Sequence, residues 1–171
     1  MNVMTAELRS RFAAALSRMY GAEVPAYTTL VDVSTEVNRD HRRDDGLGSL
    51  ERVTAERHGA IRVGSPRELA DVADLFAAFG MYPVGFYDLR EAASPVPVVS
   101  TAFRPIDADE LAHNPFRVFT SMLATADTRF FDPELRARVD RFLGARELFD
   151  PELIAMARTI AADGGCGPDR A

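Results

Sequence analysis

Glu56-Arg57-His58-Gly59-Ala60-Ile61-Arg62-Val63-Gly64 is the stretch on which the reading of this chain turns. It reads as a short strand. Side chains alternate along a strand, so His58, Ala60 and Arg62 point one way while Gly59, Ile61 and Val63 point the other. At about 3.3 Å per residue, His58 and Arg62 stand roughly 13 Å apart with only the Ala60 methyl between them. A metal at the His58 end and a carboxylate on Arg62 would suit a small dicarboxylic acid. A lone strand histidine also serves as a hydrogen-bonded core or rim residue, and the neighbouring sequence has to separate the two readings.

Downstream, Ser65-Pro66-Arg67-Glu68 has the form of a helix start, with Ser65 as N-cap, Pro66 in the first turn and Glu68 as reciprocal cap. Leu69, Val72, Ala73, Phe76 and Phe79 then recur on one helical face, and Gly80 ends it. Met81 to Leu89 predicts a strand with Tyr82, Val84, Phe86 and Asp88 on one side. Further strands are expected over Val98 to Pro105 and Phe116 to Leu123, with a short helix over Asp107 to His113 between them. The order is strand, helix, strand, strand, strand.

Upstream, Leu8, Phe12, Ala15, Leu16 and Met19 predict a helix capped by Thr5 and stopped by Gly21. Pro25 opens a second helix carrying Tyr27, Leu30, Val31, Val33 and Val37. Asn38 to Gly48 reads as a charged loop, its Arg39, His41, Arg42 and Arg43 either solvated or forming an anion-facing rim. After residue 130, Asp132-Pro133 and Asp150-Pro151 each start an amphipathic helix. Residues 1–165 are expected to form a single α+β domain and 166–171 a flexible tail that holds Cys166.

Composition narrows the function classes. The net charge is −6, which disfavours nucleic acid as a partner. All basic residues are Arg, so lysine-based Schiff-base chemistry is excluded within these residues. No apolar run approaches the roughly 18 residues needed to cross a membrane. A single cysteine rules out an internal disulfide and fits a cytoplasmic location. There is no Walker loop, no GxGxxG and no His–Asp pairing around Ser100 or Thr101 that would indicate a hydrolase.

Four ordered blocks carry a more specific signal: Arg57-His58-Gly59-Ala60-Ile61-Arg62; Gly80-Met81-Tyr82-Pro83-Val84-Gly85-Phe86-Tyr87-Asp88-Leu89; Ser100-Thr101-Ala102-Phe103-Arg104-Pro105; and Asn114-Pro115-Phe116-Arg117-Val118-Phe119-Thr120-Ser121. Through them the chain resembles the 2-oxoadipate dioxygenase/decarboxylases, also called 2-hydroxyglutarate synthases. The resemblance implies a vicinal-oxygen-chelate-like βαβββ module with flanking N- and C-terminal helices. It implies Fe(II) as cofactor, and conversion of 2-oxoadipate and O2 to 2-hydroxyglutarate and CO2 in lysine catabolism. By the same resemblance His58 matches the first iron ligand and Arg62 the arginine that holds the distal carboxylate.

The family's second His and its Glu ligand lie further along a longer chain and have no counterpart here; Val99 stands where the family usually has a His. Two non-haem iron ligands are therefore missing from the usual set of two His and one carboxylate. The chain is expected to be an incomplete form of the enzyme, to lack its C-terminal half, or to act as a homo-oligomer that shares ligands. The alternatives are a non-catalytic module that binds a small acid or oligomerises, and an isomerase or lyase assembled as a dimer. Ser100, Arg104 and Arg117 are further candidates for contact with a 2-oxo dicarboxylic acid, each arginine having an internal salt bridge as its other reading. His41 and His113 are each read as a surface or capping residue, and Asp88 as a turn-forming carboxylate with a cavity-facing position as its other reading.

Overall fold

The computed structural model describes residues 2–41 and 58–171. Arg42, Arg43, the rest of the expected loop to Gly48, and the Glu56-Arg57 lead-in to the strand lie outside the described residues. In chain order the elements are β1 (Val3–Met4), α1 (Thr5–Glu23), α2 (Pro25–His41), β2 (His58–Val63), α3 (Pro66–Ala77), β3 (Tyr82–Asp88), β4 (Val98–Arg104), α4 (Ala108–His113), β5 (Arg117–Leu123), α5 (Pro133–Ala145), α6 (Pro151–Asp163) and β6 (Gly165–Cys166).

From β2 to β5 the strand–helix–strand–strand–strand order is as expected. The four strands form one sheet in the order β2-β5-β4-β3. β2 and β5 run parallel, while β5–β4 and β4–β3 are antiparallel. The outermost strand in sequence thus closes beside the first, and the hairpin β3–β4 forms the opposite side.

One face of this sheet is packed. Val63, Phe103 and Val118 are buried against Val72 and Phe76 of α3 and Ala13 of α1, with Phe12 and Leu16 alongside. Each fully buried Val or Phe here contributes about 1.5–3 kcal/mol. Phe12 stacks on Phe79 at 4.9 Å and meets Phe116 edge-on at 5.8 Å, so α1 is keyed into the sheet layer. Gly59 permits this approach, since a Cβ there would lie 3.1 Å from Leu16 and 3.3 Å from Val118.

The cap of α3 forms as expected at Ser65, whose hydroxyl accepts from the Glu68 backbone N–H at 3.2 Å. Glu68 keeps the reciprocal cap to the Ser65 backbone and adds further partners. Its carboxylate accepts from the Gly64 backbone N–H at 2.5 Å and from Arg146 Nε and Nη2 at 2.6 and 2.8 Å. The Arg146 hydrogen bond is the main reason that the Glu68 carboxyl titrates below its ordinary range. This ties the end of β2 to the end of α5. Asp132 and Asp150 cap α5 and α6 through their side chains, as the two Asp-Pro pairs predict.

Several boundaries differ from expectation. Met4, not Thr5, precedes the first helical residue, and α1 continues through Gly21 to Glu23 because the backbone hydrogen bonds run on to Val24. Residues Asn38 to His41 belong to α2 rather than to a loop. No residue of α2 is buried, and Leu30, Val33 and Val37 of its apolar set are half exposed or more. Cys166 is not in a loose tail: β6 pairs antiparallel with β1, Val3 opposite Cys166, and both are buried with Ala157 and Ile160 of α6. A short 3-10 turn follows at Pro168–Arg170.

The alternation expected along β3 also breaks. Val84 opposes Ala102, but Tyr87, not Phe86, opposes Ser100. One extra residue is accommodated in a bulge at Gly85, whose φ of 70° favours glycine. The Thr101 hydroxyl donates to the Gly85 carbonyl at 2.8 Å and fixes the bulge. Asp88 therefore opposes Val99 and leaves the face that carries Tyr82 and Val84.

Candidate functional site

The register of the sheet sorts its unpacked face into three cross-strand rows. His58 opposes Arg117 on β5, and Arg104 opposes Tyr82 on β3. Two residues along, Ala60 opposes Phe119, Phe119 opposes Ala102, and Ala102 opposes Val84. Two further along, Arg62 opposes Ser121, Ser121 opposes Ser100, and Ser100 opposes Tyr87. A cationic row and a row of Arg and hydroxyls thus flank an apolar row.

No Asp or Glu occupies a position in these rows, although the chain as a whole carries −6. Three arginines and one histidine on a single face of an acidic protein make a local field that favours anions. The face is open: His58, Arg62, Tyr82, Tyr87 and Phe119 are all exposed.

The expected candidates come together on this face, in different states. His58 begins β2, and its ring lies nearly parallel to that of Phe119, 13° between planes and 6.4 Å between centroids. Arg62 shares the His58 face, as the strand alternation predicts. Ser100 is half-buried, and its Oγ lies 2.8 Å from Ser121 Oγ. Arg104 donates from Nη1 to the Pro105 carbonyl at 2.7 Å, in the row of His58 rather than that of Arg62. Arg117 makes no internal salt bridge among the described residues; its Nε is shielded from solvent and lacks an acceptor there.

Other residues stay apart. Asp88 accepts from the Arg90 backbone N–H and guanidinium at a turn, the role expected of it. His113 closes α4 and is exposed, and His41 ends α2. No group of three or more His, Cys, Asp or Glu side chains among the described residues could hold a metal ion. His58 supplies one imidazole donor and not a complete site.

Phe119 and Ser121 were not singled out by the sequence. Their period-two relation to Arg117 is visible in it, but the pairing of β5 between β2 and β4 is what sets them between Arg62 and Ser100. A separate cleft of about 550 Å³ in the helical layer, lined by Phe12, Phe79, Leu153 and Met156 with Arg11 and Arg18, shares no residue with this face. No helix among the described residues is long and apolar enough to cross a membrane.

Comparison with known proteins adds an independent line. The family model for 2-oxoadipate dioxygenase/decarboxylase matches residues 12–171. A 2-oxoadipate dioxygenase/decarboxylase of Mycobacterium tuberculosis is 71% identical over 173 residues, which cover 99% of this chain and 42% of the relative. The crystal structure of the hydroxyglutarate synthase from Pseudomonas putida in complex with 2-oxoadipate superposes with a TM-score of 0.87 at 39% identity, covering 98% of this chain and 38% of that one. An uncharacterized Shigella flexneri protein gives 0.85 at 42% identity, covering 98% and 44%. The chain therefore spans about two fifths of the length of the relatives it matches.

Proposed function

The chain belongs to the 2-oxoadipate dioxygenase/decarboxylase family, and from that premise we propose that its open sheet face is the substrate-holding side of a 2-oxoadipate dioxygenase/decarboxylase. The observation that carries this reading is the row pattern: cationic, apolar, then Arg and hydroxyls, with no carboxylate among them. A 2-oxo dicarboxylic acid has the same pattern, two anionic ends and a methylene middle. 2-Oxoadipate would lay its distal carboxylate on Arg62 and its methylenes over Ala60 and Phe119, with its 2-oxo acid end towards His58. Ser100 and Ser121 stand beside Arg62 to donate to the distal end.

His58 would give one ligand to Fe(II), the remaining ligands coming from outside the described residues. The metal, when bound, supplies the redox chemistry with O2; the overall conversion is 2-oxoadipate and O2 to 2-hydroxyglutarate and CO2. The described residues do not hold such a metal by themselves, and their own contribution is to bind and orient the acid. The βαβββ order and the parallel β2–β5 pair support a vicinal-oxygen-chelate-like module. The incomplete ligand set favours a second reading, a module that binds a small acid without turning it over.

The test is a nuclear magnetic resonance titration of this chain with 2-oxoadipate. Shifts should concentrate at residues 58–62, 98–104 and 117–123. Arg62→Ala should weaken 2-oxoadipate and spare 2-oxohexanoate, which lacks the distal carboxylate. Shifts centred on the helical cleft, or equal losses for both acids, would sink the reading.

A further inference from the structure

We propose that Arg117 is the residue that holds the carboxylate at the reacting, 2-oxo acid end of the substrate. The inference rests on the reading above, in which Arg62 takes the other end. Arg117 is the register partner of His58 in the parallel β2–β5 pair, and both stand on the open face. Adjacent strands lie about 4.8 Å apart, so the imidazole and guanidinium positions border one small area.

The state of the side chain is the second observation. A buried donor without an acceptor leaves its desolvation uncompensated, and native proteins rarely keep one without a reason. Arg117 Nε is such a donor among the described residues. Three other arginines among the described residues show the contrast. Arg9 reaches three carbonyls and the Glu110 carboxylate, Arg146 is bidentate on Glu68, and Arg104 has the Pro105 carbonyl. Among the described residues no Asp or Glu shares the face of Arg117, which leaves its guanidinium available to an acceptor that arrives with a ligand. Guanidinium matches a carboxylate in shape and can take it through two parallel hydrogen bonds.

Arg117 and Arg62 are four residues out of step on neighbouring strands, with Phe119 between their rows. An acid held by both must lie along the strands and cross the Phe119 ring. The arrangement therefore selects for length as well as charge, and Arg117 acts as a positioning residue that sets the 2-oxo group beside His58.

The experiment is a titration of the 171-residue chain in the presence of EDTA with 2-oxoadipate and with 2-oxohexanoate. Both acids have the reacting end; only the first has a distal carboxylate. Arg117→Met should raise Kd for both by about tenfold or more, with Arg117→Lys recovering part of the loss. The Tm of Arg117→Met should equal or exceed that of the unaltered chain, because no internal partner is lost. Unchanged affinity for both acids, with Arg62→Ala still selective, overturns the role of Arg117 and leaves the site reading intact. Loss of 2-oxoadipate alone would place Arg117 at the distal end and also overturns it. Lower Tm with weaker binding of both acids marks a structural residue and does the same. Failure of the unaltered chain to bind either acid overturns this inference and the site reading together.

Discussion

Ser100 and Ser121 meet across β4 and β5 with their hydroxyl oxygens 2.8 Å apart, and Ser121 is in register with Arg62. The pair can pass one donor outwards while the second hydroxyl stays satisfied. Ser100→Ala is expected to weaken 2-oxoadipate binding by roughly 3- to 10-fold, the scale of one neutral hydrogen bond. Binding of 2-oxohexanoate should be unaffected. Isothermal titration with the two acids checks this, and an equal loss for both would remove the serines from the distal end.

Arg9 is fully buried, yet it ties three separate elements together. Its Nη1 donates to the Phe79 carbonyl at 2.8 Å, its Nε to the Asn114 carbonyl at 3.1 Å, and its Nη2 to Glu110 Oε2 at 2.8 Å. Arg9→Ala should destabilise the fold by about 3–5 kcal/mol, because it strands buried acceptors and empties the site. Urea unfolding should show the lower midpoint. A change within about 0.5 kcal/mol, as for an ordinary surface substitution, would contradict the structure.

Asp88 and Asp127 form an ion cluster with Arg90 and Arg129 beside the β3 end of the sheet. A hydrogen bond from Arg90 holds the Asp88 carboxyl at about 2, and one from Arg129 holds Asp127 at about 2. Both values are depressed from 3.8, so the stabilisation is present above that ordinary value and fades as pH falls from about 4 towards 2. Carboxyl-carbon resonances of the two side chains should stay in the ionised position at pH 3. Titration near the ordinary value would show that the cluster does not persist in solution.

Fe(II) should bind this chain weakly. One imidazole at His58 leaves most of the coordination to water, whereas a stable non-haem site uses three protein ligands. Anaerobic Fe(II) titration followed by oxygen-uptake measurement with 2-oxoadipate should show loose binding and no appreciable turnover. Tight stoichiometric binding would mean that residues outside the described ones complete the site, and His58→Ala would then have to abolish it.

The sequence by itself determined the helix starts at Ser65-Pro66, Asp132-Pro133 and Asp150-Pro151, because capping and proline chemistry act within one turn. It also determined that His58 and Arg62 share a face, since alternation is a local property of a strand. Its four blocks were specific enough to indicate the family. Only the tertiary structure decided what lies between those residues. The register of β5 and β4 put Phe119, Ser121 and Ser100 in their rows, and the bulge at Gly85 exchanged Phe86 for Tyr87 opposite Ser100. The burial of Arg9 and the pairing of Cys166 with Val3 likewise join residues far apart in the chain. Local patterns fix conformation over a few residues, whereas pairing, burial and hydrogen-bond partners depend on which segments the packed core brings together.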